Sequence, residues 1–69
     1  MRADKNKLLL AMARACMNTR DVVRESGMPE MTVKNVIAGK GVKPATLGRV
    51  AKALNVDPAE IVEKGEKVS

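Results

Sequence analysis

Five neighbouring residues carry side chains suited to reading the surface of another molecule. Asparagine and lysine can donate hydrogen bonds to the acceptors of a nucleic-acid base edge, threonine can bond to several bases, and methionine offers an apolar contact. They are Glu30, Met31, Thr32, Lys34 and Asn35. No catalytic set accompanies them, since the chain has no His, no clustered carboxylate pair, and no Ser or Cys beside a plausible base. We therefore do not expect an enzyme.

Metal, disulfide and membrane chemistry are also disfavoured by the composition. A single cysteine, Cys16, excludes an internal disulfide, and without His no Cys/His metal site can be assembled. No metal or cofactor is expected. The longest apolar run, 8–13, is far too short to span a bilayer, and nothing resembles a cleavable signal. These features predict a cytoplasmic protein.

The charge distribution favours a polyanionic partner. The net charge is +5, from 13 Lys and Arg against 8 Asp and Glu. Residues 14–52 hold eight basic and three acidic side chains, whereas residues 53–69 hold four acidic and two basic ones. A phosphate-facing surface would therefore be formed by the basic middle of the chain, and the acidic end would face away from the phosphates. Solubility alone is the competing explanation of the charge.

Helical periodicity accounts for nearly the whole chain, which is predicted to be one all-α domain over residues 1–69. Apolar residues recur at i, i+3 and i+4, and no segment alternates over the length of a strand. Five helices are predicted over 4–15, 19–26, 30–38, 45–54 and 58–64, with a polar tail at 65–69. Asn18 is a candidate N-cap, and Gly27 and Gly39 are expected to end the second and third helices. The pair Asp57 and Pro58 is expected to open the fifth.

A helical wheel of the segment 30–38 separates a buried from an outward face. Val33, Val36 and Ile37 share the inward side, and Met31, Asn35 and Ala38 fall opposite. In a DNA major groove, Asn35 could pair with adenine, Met31 could touch a thymine methyl group, and Thr32 could bond to several bases. On the same surface Lys34 could reach guanine or a phosphate, and Glu30 could accept from cytosine N4.

Plainer interpretations of these residues remain open. Glu30 in a first helical turn favours the helix dipole wherever it occurs, and exposed Met31 often has no role. Asn35 is a mediocre helix former in mid-helix, which favours a functional interpretation. Phosphate contacts are predicted at the start of the second helix and in the loop after the third, unless that loop is simply solvated. Their residues are Asn18, Thr19, Lys40 and Lys43.

A longer register of residues carries a family resemblance. It comprises Asn18, Val22, Gly27, Val33, Val36, Gly39, Lys40, Pro44, Leu47 and the run 51–56, Ala-Lys-Ala-Leu-Asn-Val. Over residues 8–62 the chain resembles the phage repressor and Cro family of helix-turn-helix regulators, also called lambda-repressor-like. The resemblance implies a compact five-helix domain and a helix-turn-helix over 19–38, with Gly27 as the hinge between its two helices. It also implies a small repressor, from a phage or mobile element, that binds a palindromic operator as a homodimer.

Position by position, the resemblance places base contacts on Glu30, Met31 and Asn35 and phosphate contacts on Thr19, Lys40 and Lys43. The chain also departs from the family pattern. Thr19 replaces a common Gln, Val23 a common Ala, and Cys16 a common Gly. Many members bury an Arg of the first helix against a Glu near the end of the third, and those positions hold Met12 and Ile37 here. We expect these two side chains to touch.

Leu9 and Leu10 occupy positions that are usually polar in the family. They are either ordinary surface leucines or the contact of a dimer or protein partner. The second choice allows an alternative function, an antitoxin-like or adaptor module that binds protein through the first helix. Residues 56–62 are the other candidate dimer interface. Single-stranded RNA is disfavoured as a ligand because the chain has no aromatic residue to stack on bases.

Overall fold

The computed structural model describes residues 1–63, which contain four α-helices and one short 3₁₀ turn. The helices are α1 (Lys5–Arg14), α2 (Thr19–Ser26), α3 (Glu30–Ile37) and α4 (Pro44–Ala53), and the 3₁₀ turn is Pro58–Glu60. The all-α prediction is confirmed, and each of the first four helices lies within one residue of its predicted bounds. The predicted polar tail at 65–69 falls outside the described residues.

Local capping explains where these helices begin. The Asp4 carboxylate accepts the Lys7 amide at the start of α1, at 3.0 Å. Asn18 caps α2 as predicted, since its Oδ1 accepts the Asp21 amide at 3.1 Å. Each cap satisfies an amide that the first turn of a helix leaves without an intrahelical partner.

Left-handed residues end all four helices. Gly27 and Gly39 adopt φ of 69° and 80°, and the same region is occupied by Cys16 at 56° and Asn55 at 58°. After α3, the Lys40 amide donates to the Asn35 carbonyl and the Gly39 amide to the Val36 carbonyl, which is a Schellman arrangement. The corner after α1 therefore turns without glycine, because Cys16 itself takes the left-handed conformation.

The core lies where α2 packs against α3 and α4 and where α1 packs against α3. Its largest fully buried side chains are aliphatic: Leu8, Leu47, Ile61, Val22, Val33, Val36 and Val50. Val33 and Val36 lie on the face of α3 that the helical wheel predicted to be buried. Ala3 and Met28 are also buried, although no sequence pattern indicated them.

The predicted fifth helix is wrong. Asp57 and Glu60 do form the reciprocal cap that suggested it, with the Asp57 carboxylate accepting the Ala59 amide at 2.8 Å and Glu60 accepting the Asp57 amide at 3.1 Å. The helix nevertheless stops after three residues, since Ile61 turns to φ −121° and its side chain is fully buried. The predicted end of this helix, at residue 64, lies beyond the described part of the chain.

Backbone pairing with the first residues of the chain explains this early stop. The Asp4 amide donates to the Ile61 carbonyl at 2.8 Å, and the Glu63 amide donates to the Arg2 carbonyl at 2.9 Å. Ala3 and Val62 form the antiparallel bridge between these two bonds. An extended backbone after the 3₁₀ turn thus gains partners that a continued helix would lack.

Met12 is buried in the core, and Ile37 is half-buried and packs against the same cluster. The helices that carry them, α1 and α3, pack against each other. This arrangement agrees with an apolar replacement of the ion pair that the resemblance implied. The direct contact between the two side chains stays a prediction.

Candidate nucleic-acid interface

The outward face of α3 presents most of the predicted base-reading residues. Glu30, Met31 and Lys34 are exposed, with Met31 at 69% the most exposed large apolar side chain of residues 1–63. Thr32 and Asn35 are half-buried. An α-helix with its side chains is about 10 to 12 Å across, which matches the width of a DNA major groove, roughly 12 Å.

An ion pair that the sequence analysis did not predict lies on this face. Lys34 Nζ is 3.3 Å from Glu30 Oε2, one helical turn away, and both side chains are more than half exposed. The i, i+4 spacing could have indicated it. Because a solvent-exposed pair of this kind contributes little stability, about 0 to 1 kcal/mol, Lys34 can leave Glu30 at small cost.

The turn before α3 orients its entrance outward. Gly27 adopts φ 69°, and no atom lies within 4 Å of the position that a methyl group would take there, so its role is conformational. The Ser26 hydroxyl accepts the Met28 amide at 3.3 Å, and Pro29 precedes α3 without a side-chain cap. The prediction of Gly27 as the hinge between the two helices fits this geometry.

The start of α2 is only partly open to an anion. Asn18 and Asp21 form a reciprocal capping box, in which the Asn18 amide donates to Asp21 Oδ2 at 3.0 Å. Two of the amides at this end are therefore occupied. The Thr19 and Arg20 amides have no hydrogen-bond partner among residues 1–63, and Asn18 keeps its Nδ2 donor. An anion at this end would meet these three groups.

The loop between α3 and α4 carries the two predicted phosphate-binding lysines. Lys40 and Lys43 are both exposed, and neither lies within ion-pair distance of a carboxylate in the described part of the chain. Between them, the Val42 amide donates to the Met1 carbonyl at 2.7 Å. That bond ties the loop to the first residues of the chain and so limits its motion.

Two further cationic side chains near this surface were not among the site residues predicted from the sequence. Arg20 is exposed in the first turn of α2, beside the open amides. Lys5, at the start of α1, lies against Gly39 at the end of α3. The position of Arg20 follows from the helix pattern, whereas the contact of Lys5 depends on how α1 packs against α3.

Residues 1–63 contain no group of three or more metal-ligating side chains, and no helix among them has the length and apolarity required to cross a bilayer. Their shallow surface grooves are lined mainly by charged and small apolar side chains. The candidate ligand-binding surface consists of the exposed faces of α2 and α3 and the loop at 40–43.

Comparison with known proteins identifies the family of the chain. A family model described as the Cro/C1-type HTH DNA-binding domain matches residues 7–64, which is most of the chain. The chain belongs to the Cro/C1-type helix-turn-helix DNA-binding family. As a member of that family it is a DNA-binding domain, and its helix-turn-helix is formed by α2, Gly27 and α3. No curated protein sequence is significantly similar to it.

Solved structures show where else this fold occurs. A variant of hydroxyethylphosphonate dioxygenase matches with a TM-score of 0.79 and 22% identity, over 97% of this chain and 15% of that one. Native PhpD with cadmium matches with a TM-score of 0.77, again at 22% identity and over 97% and 15% of the two chains. This chain thus spans about 15% of the length of the chains that it matches, and at this identity the likeness concerns the fold alone.

Proposed function

We propose that the protein is a sequence-specific regulator of transcription, a small repressor that binds a palindromic operator in double-stranded DNA as a homodimer. The observation that carries the proposal is the outward face of α3, where Glu30, Met31 and Lys34 are exposed on the second helix of the helix-turn-helix, the one that enters the major groove in this class of motif. Repression follows from occupation of the operator and requires no cofactor and no catalysis.

Each residue of this face has a proposed partner in the groove. Asn35 pairs with adenine, Met31 contacts a thymine methyl group, and Thr32 bonds to a neighbouring base. Lys34 exchanges Glu30 for guanine or a phosphate. Glu30 then accepts from cytosine N4, a role that competes with its ion pair.

Phosphate contacts are proposed on both sides of α3 and fix its register. At the start of α2, Thr19 contributes its backbone amide and Asn18 contributes its side-chain Nδ2 group. Lys40 and Lys43 contribute positive charge from the loop between α3 and α4. These groups bind every DNA sequence alike. Their contribution declines steeply with salt, because each neutralised phosphate releases counterions.

The proposed dimer uses the surface of α1 that faces the 3₁₀ turn. Ile61, the largest apolar side chain of the interface predicted at 56–62, is fully buried within its own chain and is not available for contact with a second copy. Leu10 is 54% exposed and lines a groove of about 290 Å³ with Ala11 and Val56. Burying Leu10 and Val56 against a second copy would remove apolar surface from water.

A matched pair of leucines tests this interface. Leu9 is 51% exposed on the same helix but does not line the groove. We expect Leu10→Glu to shift sedimentation toward monomer and Leu9→Glu to leave it unchanged. Equal effects of the two variants would contradict an interface centred on Leu10.

The exposure of both leucines also favours the second candidate function, a protein-interaction module in which α1 binds a partner protein. The two functions separate in one experiment, the selection of bound sites from a pool of random duplex DNA. A repressor enriches a palindrome whose half-sites lie about one helical turn apart. A pool without enrichment contradicts the regulator and supports the interaction module.

A further inference from the structure

Lys5 is the residue that connects α1 to the end of α3. A methyl group built on Gly39 would lie 3.4 Å from Lys5 Cγ and 3.7 Å from Lys5 Cδ. The aliphatic stem of Lys5 therefore lies beside Gly39, at a distance that would give a side chain there ordinary van der Waals contact. Lys40, the next residue along the chain, is exposed at the same corner.

The backbone around Lys5 is held in place from two sides. Ala3 is buried, and the Asp4 amide donates to the Ile61 carbonyl at 2.8 Å. On the other side, the Val42 amide donates to the Met1 carbonyl at 2.7 Å. The first turn of α1 is thus fixed against the loop that carries Lys40, and less conformational entropy is lost when Lys5 binds a ligand.

The charge of Lys5 is available to a ligand. No carboxylate in the described residues lies within ion-pair distance of its ammonium group. Asp4 is adjacent, but its carboxylate accepts the Lys7 amide at 3.0 Å. Glu63 lines the same shallow groove and is the one exposed acid there that would oppose an anion.

We propose that Lys5 and Lys40 together bind one backbone phosphate at the end of α3, a contact that no helix-turn-helix residue provides. The inference rests on the proposed function, because the phosphate belongs to the same DNA that α3 enters. Two cations at one corner suit a phosphate, which accepts several charge-assisted hydrogen bonds. The contact reads no base and sets the tilt of α3 in the groove.

Lys5→Gln tests this contact, and Lys52→Gln is its matched control. Lys52 is also an exposed lysine, but it lies in the last turn of α4 and belongs to neither the proposed DNA surface nor the proposed dimer surface. Affinity for a selected and for a scrambled duplex is measured over a range of salt. At 0.1 M salt we expect Lys5→Gln to weaken both about two- to fivefold and to reduce the salt slope by at most about 0.9, because Lys40 still faces the same phosphate. We expect Lys52→Gln to change neither, Lys5→Arg to restore the slope, and Glu63→Gln to strengthen both.

The outcomes separate this inference from the proposed function. If the unchanged protein binds no duplex, both fail. If it binds and Lys5→Gln retains the full salt slope, Lys5 is not a phosphate ligand and the inference alone is overturned. A lower thermal stability of Lys5→Gln with unchanged affinity would overturn it as well, since Lys5 would then serve only the helix end beside it.

Discussion

Lys34 Nζ and Glu30 Oε2 lie 3.3 Å apart on the outward face of α3, so this face carries a neutralised pair where DNA is proposed to approach. Removing the carboxylate releases Lys34 and removes a repulsion between Glu30 and phosphate. We expect Glu30→Gln to strengthen binding to scrambled DNA about two- to fivefold, with a smaller effect at higher salt. Fluorescence anisotropy at two salt concentrations measures both quantities.

Glu25→Gln is the control for Glu30→Gln. It removes the same charge from an exposed residue in the last turn of α2, outside α3. An equal gain from both variants would show that net charge, and not the position of Glu30, causes the effect.

The capping box of α2 predicts the effect of Asn18→Ala. The substitution removes the Asn18 oxygen that accepts the Asp21 amide. We expect the loss of this cap to lower the free energy of unfolding by about 1 kcal/mol. In a domain of this size that lowers the melting temperature by about 4 to 8 °C. Asn6→Ala, at an exposed position in the first turn of α1, should leave the melting temperature unchanged or slightly raised. Equal melting temperatures for the two variants would contradict the cap.

Cys16 carries strain that glycine would relieve. Its φ of 56° destabilises a residue that has a side chain by about 1 to 2 kcal/mol. Glycine avoids this cost, but it loses more conformational entropy on folding, which offsets about 0.5 to 1 kcal/mol of the gain. We expect Cys16→Gly to raise the free energy of unfolding by up to about 1.5 kcal/mol in urea titrations. Cys16→Ala retains the strain and serves as control. A loss of stability in Cys16→Gly would be incompatible with this explanation.

A double-mutant cycle tests the predicted contact of Met12 with Ile37. Met12→Arg places a charge in the core and should cost about 3 to 5 kcal/mol, whereas Ile37→Glu alters a half-buried side chain. If the side chains touch, the double variant recovers about 0.5 to 3 kcal/mol relative to the sum of the single changes. A loss of stability in the double variant that equals the sum of the two single losses would place the two residues apart.

Local signals made most of the fold predictable from the sequence. Asn18, Gly27 and Gly39 act at helix ends through their own side chains or backbone angles, so the bounds of α2 and α3 required no knowledge of the packing. The same is true of the inward face of α3, because Val33 and Val36 follow the helical period and are fully buried.

Long-range contacts account for what the sequence did not predict. Asp57 and Glu60 form the same cap whether an α-helix or a single 3₁₀ turn follows, and the choice is made by the pairing of Ile61 with Asp4. That pairing joins two extended segments too short to show a strand pattern. Lys5 was missed for the same reason, since its position over Gly39 depends on tertiary packing.

The central claim is that the outward face of α3 reads bases, and Asn35→Ala tests it most directly. The quantity measured is the affinity for the selected duplex divided by that for a scrambled one. We expect Asn35→Ala to lower this ratio about 5- to 150-fold, because a bidentate pair with adenine contributes about 1 to 3 kcal/mol of discrimination. Lys40→Ala should weaken both affinities and leave the ratio unchanged. An unchanged ratio in Asn35→Ala would contradict the claim.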